Sequence, residues 1–176
     1  PSHEGITEIG AVVLESGEIT DSFHSFVNPD KPISAKITKI TGITDAMVKD
    51  APSCKEALIK FYDFCGDGVL VAHNAPFDTG FLRVHGERLG LPFKFDYIDT
   101  VPICRYMLPK LKRHKLNLVA DALGLGDFRH HRATDDATVL AKIFIKILER
   151  LNEDGITKIG EINNLIAGER NYKNLP

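Results

Sequence analysis

Three kinds of protein are made improbable by what this 176-residue sequence lacks. Cysteine is scarce: Cys54, Cys65 and Cys104 lie far apart and form no Cys-x-x-Cys pair. That argues against a zinc site or a disulfide framework and for reduced, cytoplasmic thiols. No apolar run approaches the roughly 18 residues a membrane span needs. Nor is there a charged leader followed by an apolar stretch, so neither a membrane partner nor export is expected. Positive charge is not in excess either, the formal net charge being −2. Proteins that coat duplexes are usually basic, because neutralised phosphates release counterions; any nucleic acid here must be handled at a local site. Repeats and low-complexity segments are absent. What remains is 43% hydrophobic and 26% charged, the composition of one soluble domain with a real core.

The order of elements is legible from periodicity. Ile6–Leu14 is β-branched and apolar, Glu15–Glu18 is turn chemistry, and Ile19–Val27 returns as a second strand, giving a hairpin. Short helical stretches are expected over 34–40 and after Thr44, separated by Gly42. Ser53 and Glu56 form a capping box before the helical spacing of Ala57, Leu58, Phe61, Phe64 and Cys65. Val69–Ala72 reads as a buried strand, 77–89 as a helix stopped by Gly90, and 94–98 as an edge strand. Asp99 or Thr100 caps the next helix. Another follows over 116–123, and the longest runs over 133–152 with the stripe Ala137, Leu140, Ala141, Phe144, Leu148 and Leu151. A last helix is expected over 158–165. A hairpin followed by alternating strands and helices implies an α/β layer fold with a mixed sheet.

Two patches carry chemistry. His73-Asn74-Ala75-Pro76-Phe77-Asp78 follows the buried strand directly, and α/β sheets bind ligands at the carboxyl ends of their strands. Taken alone, Asp78 serves equally as a partner for the helix dipole. The second patch is His130-His131-Arg132-Ala133-Thr134-Asp135-Asp136-Ala137. Asp136 lies on the flank shared with Leu140, Ile143 and Ile147 and faces inward, whereas Asp135 faces out. An inward carboxylate at a core edge needs a partner, and a divalent cation is a good one. The basic runs 110–115 and 129–132 suit a phosphate strand as well as they suit a solvated face.

Taken together, His-Asn-Ala-x-Phe-Asp and His-x-Ala-x-x-Asp-Ala resemble the second and third motifs of the DnaQ-like (DEDDh) 3′→5′ exonucleases. The likeness extends over essentially the whole chain and includes Ile40-Thr41-Gly42-Ile43 and the Leu-x-x-Leu-Gly-Leu near Leu123. It implies a ribonuclease H-like α/β fold and an enzyme that removes nucleotides from DNA 3′ ends with two divalent metal ions, Mg²⁺ or Mn²⁺. Carried over by position, Asp78 and Asp136 are metal ligands and His131 is the general base. His130 is in the wrong register for that role. Asn74 and Phe77 help hold the terminal nucleotide, and Ile40 and Thr41 touch the last base and sugar. The tail Gly155-Ile156-Thr157, followed by Ile162-Asn163-x-Leu165, is most similar to the proofreading exonuclease domain of PolC-type DNA polymerase III. That similarity implies the partners: a single-stranded or frayed DNA 3′ end, and polymerase domains of the same or a partner chain.

The chemistry suits these residue types. Hydrolysing a phosphodiester builds charge on the non-bridging and leaving oxygens, which two cations roughly 3.5–4 Å apart can clamp. Hard cations want carboxylate oxygens, and a histidine poised near neutral pH can take a proton from water. The first motif of the family, Asp-x-Glu on the central strand, is not found. The expectation is therefore one exonuclease domain over 1–176, lacking its motif I strand and excised from a larger polymerase. Glu8 corresponds to a non-catalytic position, and Asp99 is read as a helix cap. Two other functions stay open: an RNA-trimming relative, and a non-catalytic scaffold should motif I be truly absent.

Overall fold

The computed structural model describes residues 5–126, 132–158 and 160–162. Strands β1 (Glu8–Glu15) and β2 (Glu18–Phe26) form the expected antiparallel hairpin. Its turn is Ser16-Gly17, both at positive φ (51° and 84°), the twist that two-residue hairpins favour. Then come α1 (Ala35–Thr41), α2 (Asp45–Val48) and α3 (Cys54–Cys65). Gly42 ends α1 with φ 72°, and Ser53 with Glu56 makes the capping box in front of α3. The rest of the chain is β3 (Leu70–Ala72), α4 (Ala75–Arg88), β4 (Tyr97–Asp99), α5 (Thr100–Met107), α6 (Leu116–Ala122) and α7 (Ala133–Glu153).

The strands make two two-stranded sheets, β1 with β2 and β3 with β4, the second pair parallel with Ala72 opposite Asp99. Helices cover both faces. On one side Ile103, Val119, Ile143, Ile147 and Leu151 of α5–α7 pack under Leu14, Val71 and Ile98. On the other, Ala57, Leu58, Phe61 and Leu82 of α3 and α4 meet Ile9, Ala11 and Leu70. Both sheets contribute to both cores, so they share one middle layer in a helix–sheet–helix sandwich. Among the described residues neither β1 nor β3 has a second strand partner.

Three expectations are corrected. Helix α4 starts at Ala75, not at 77, because Asn74 turns the chain in the left-handed region and Pro76 has the fixed φ that a first helical turn accepts. Strand β4 is shorter and later than 94–98, with Asp99 as its last residue. The buried face of α7 is Val139, Ala141, Ile143, Phe144, Ile147 and Leu151, whereas Leu148 is 42% exposed. The hairpin, α5 and α6 all contact this helix, so the covered stripe is set by what packs against it and not by periodicity alone. Most of the expected helix over 158–165 lies outside the described residues.

Candidate active site

The first patch forms the turn from β3 into α4. Asn74 adopts φ 71°, ψ 51°, a conformation that asparagine tolerates better than most side chains. Its backbone N–H donates to Asp99 Oδ1 at 3.0 Å. The same oxygen accepts from Val101 N at 3.0 Å, so Asp99 caps α5 as expected and joins the two parallel strand ends. It is 9% exposed. Beyond the turn, Phe77 is 58% exposed, with its ring 5.1 Å from that of Phe81.

Asp78 stands in the first turn of α4. Loss of solvent around its carboxyl pushes the pKa up to about 6. Its own backbone amide opposes the shift, and the charge of Asp99 adds to it. The residue as a whole is exposed, so water screens part of the repulsion from Asp99. A carboxyl crowded beside a second carboxylate ionises more readily when a cation is near.

The second patch begins α7. Asp136 is half-buried and its N–H donates to Arg132 O, while Asp135 is exposed, the inward and outward pair expected from the sequence. Arg132 is the N-cap but supplies no side-chain cap. The acceptor comes from β1: Glu8 Oε2 takes the Ala133 N–H at 3.2 Å. Its other oxygen meets Arg132 Nε at 3.1 Å, Arg132 Nη2 at 3.0 Å and His24 Nε2 at 2.7 Å. The Glu8 side chain is 6% exposed. Beside it, a Cβ on Gly10 would lie 2.4 Å from both Ala133 C and Thr134 N. Only glycine lets the start of α7 rest on β1.

The remaining described residues expected at the site belong to α1. Ile40 and Thr41 end α1, with Ile40 50% exposed. The Thr41 hydroxyl donates to Ile37 O and accepts from Ile43 N. His131, the expected base, lies outside the described residues, as does His130. Among the described residues no group of three or more His, Cys, Asp or Glu side chains is placed to hold a metal ion. Asp78 and Asp136 are the right kind of oxygen donor for hard cations but do not by themselves complete a cage.

A family model described as "Exonuclease" matches residues 1–144. The chain belongs to the exonuclease family. It is 45% identical over 175 residues to the PolC-type DNA polymerase III of Caldanaerobacter subterraneus subsp. tengcongensis, covering 99% of this chain and 12% of that protein. The PolC-type polymerase of Thermotoga maritima is 43% identical over 166 residues, covering 94% of this chain and again 12% of the relative. The chain thus spans about an eighth of the length of the curated relatives it matches. Among solved structures, exonuclease X in complex with 5′ overhanging duplex DNA matches with TM-score 0.70 at 29% identity, covering 85% of this chain and 86% of that one. The nuclease domain of 3′hExo, a DEDDh family member bound to rAMP, matches with TM-score 0.70 at 25% identity, over 82% and 80%.

As a family member the chain has the expected ribonuclease H-like α/β fold and the metal dependence of DEDDh exonucleases. Two contacts of this exonuclease fold escaped the sequence reading, the seat at Gly10 and the capping of α7 by Glu8. Gly10 interrupts a β-branched run, a signal of close backbone approach. Glu8 carries no comparable signal, because an acidic residue near a strand start is usually solvated.

Proposed function

We propose that this chain is the 3′→5′ proofreading exonuclease domain of a PolC-type DNA polymerase III. The observation that carries the reading is the pair Asp78 and Asp136, each in the first turn of a helix, α4 directly after β3 and α7 seated on β1, in a chain 45% identical to such a polymerase. Its partners are a single-stranded or frayed DNA 3′ end and the polymerase domains, and its place of work is the cytoplasm, with the chromosome. No helix among the described residues is long and apolar enough to cross a membrane.

Asp78 and Asp136 would help hold two divalent cations, Mg²⁺ or Mn²⁺, whose chemistry there would be to offset charge building on the scissile phosphate and to lower the pKa of water. His131 takes a proton from the attacking water. The phosphorus–oxygen bond to the 3′ oxygen of the preceding nucleotide breaks, and a nucleoside 5′-monophosphate leaves. Exposed Phe77 offers a face for the terminal base, with Asn74, Ile40 and Thr41 shaping its surroundings.

The test is digestion of a 5′-labelled single-stranded DNA with Mn²⁺, beside an EDTA blank, an Asp136→Ala variant and a matched RNA strand. A ladder shortening from the 3′ end, lost in the blank and the variant and faster on DNA, is the expected result. Preferential trimming of RNA moves the assignment to an RNA-trimming relative, and no trimming of either strand defeats it.

A further inference from the structure

The loop between α5 and α6 is not used by the carboxylate site. From Thr100 to Ala120 the chain carries Arg105, Lys110, Lys112, Arg113 and Lys115 and no Asp or Glu, in a protein whose net charge is −2. Lys110, Lys112, Arg113 and Lys115 are all exposed, and none of the four has a carboxylate partner among the described residues. A solvated face usually interleaves signs. Four like charges in one short loop repel one another, and something must hold them there.

The structure shows what holds them. His73 Nε2 lies 2.6 Å from the carbonyl oxygen of His114, to which only a protonated nitrogen can donate. Its Nδ1 lies 2.9 Å from the hydroxyl of Thr100, a fully buried residue. Burial lowers the pKa of this imidazole, and the Thr100 hydroxyl in turn donates to Ala72 O at 3.2 Å. The His114 ring closes the loop on itself, with Nε2 3.1 Å from Leu108 O. His73 immediately precedes Asn74, and Asp78 follows in the first turn of α4. The clamp thus pins a row of cations to the junction that carries Asp78.

We propose that the loop 108–115 is a rail for the sugar–phosphate backbone of the strand being trimmed, gripping phosphates upstream of the terminal nucleotide without reading bases. The proposal rests on the exonuclease reading. Backbone charge dominates sequence-independent binding of nucleic acid, and a chain without net positive charge needs such a local rail to hold a polyanion. Proofreading must accept any sequence, which suits lysine and arginine contacts to phosphate rather than to base edges.

The experiment measures binding of a fluorescent 15-nucleotide oligo-dT by anisotropy in EDTA over a range of salt. The chain is compared with its Lys110→Gln/Lys112→Gln/Arg113→Gln variant and with a Lys55→Gln/Lys60→Gln/Lys142→Gln control, which removes equal charge from exposed positions of α3 and α7. Each phosphate contact on a single strand contributes roughly 0.7 to the slope of log affinity against log salt. The loop variant should lose about 2 from that slope and bind at least about tenfold more weakly at low salt, with the control nearly unmoved. A loop variant that keeps the parent slope overturns the rail, as does a control that loses as much. If the parent chain neither binds oligo-dT nor trims it with Mn²⁺, the exonuclease reading falls with the rail; if it does both while the loop variant is unchanged, only the rail falls.

Discussion

The two junctions that carry Asp78 and Asp136, the turn from β3 into α4 and the seat of the start of α7 on β1, are built by different means. At β3–α4 the chain organises itself: a left-handed Asn74, a proline in the first turn, and a backbone N–H received by Asp99 from the neighbouring strand end. At the start of α7 nothing local suffices. The N-cap is an arginine without a capping bond, and order is imposed by β1 through the Glu8 carboxylate and the missing Cβ of Gly10. One junction is written mostly in adjacent residues, with one acceptor from the neighbouring strand end. The other needs residues more than a hundred positions apart in sequence, and its geometry should fail when either distant residue is changed.

That contrast can be broken in four ways. The largest effect is chemical and common to both junctions: Asp78→Ala and Asp136→Ala should each lower trimming by on the order of a thousandfold, because each removes a ligand of the ions that stabilise the reacting phosphate. Circular dichroism should show the fold retained; comparable activity in either variant removes that residue from the site. Next comes Gly10→Ala. Its methyl would collide with backbone at 2.4 Å, a contact that cannot yield by rotating a side chain. Overpacking of this kind costs about 3 kcal/mol, which for a chain of this length lowers Tm by roughly 6–12 °C. An unchanged Tm would show that α7 does not depend on β1 for its seat.

Glu8→Gln should be milder, costing about 1–3 kcal/mol. It removes the charge that faces Arg132 and His24 and places an amide donor among donors. Hydrogen exchange should quicken at the first turn of α7 and not at that of α4. Equal exchange at both junctions would erase the distinction drawn here. The smallest effect concerns pH. The folded-state pKa of Asp78 is raised to about 6, whereas an unfolded aspartate titrates near about 4. Between those values the folded chain holds a proton that the unfolded chain has lost, so this group favours folding at low pH and that contribution is lost as pH rises through about 6. Asp78→Asn should therefore raise Tm slightly at pH 7–8 in EDTA, and the advantage should vanish as pH falls toward about 4. An advantage that grows toward acid would reverse the sign of the shift.

Local chemistry made much of the chain legible. The hairpin turn, the Ser53–Glu56 box, the glycine stop of α1 and the Asp99 cap all lie within a few residues of the elements they define, and each was found in place. Asp136 facing in and Asp135 facing out also followed from helical spacing, since Ile143 and Ile147 on the same flank are fully buried. The stripe of α7 was misjudged at Leu148 because the edge of a buried face is set by the elements that pack against the helix, which helical spacing does not reveal.

By itself the sequence determined the order of elements, the family, and which carboxylates begin helices, because turn chemistry, periodicity and motif spacing are properties of neighbours along the chain. Only the tertiary structure decided that Glu8 caps a helix starting at Ala133, that Gly10 clears room for it, and that His73 pins the basic loop through the carbonyl of His114. These are contacts between residues 41 to 125 positions apart. A hydrogen bond or a steric gap at that separation exists only once packing has brought the partners together.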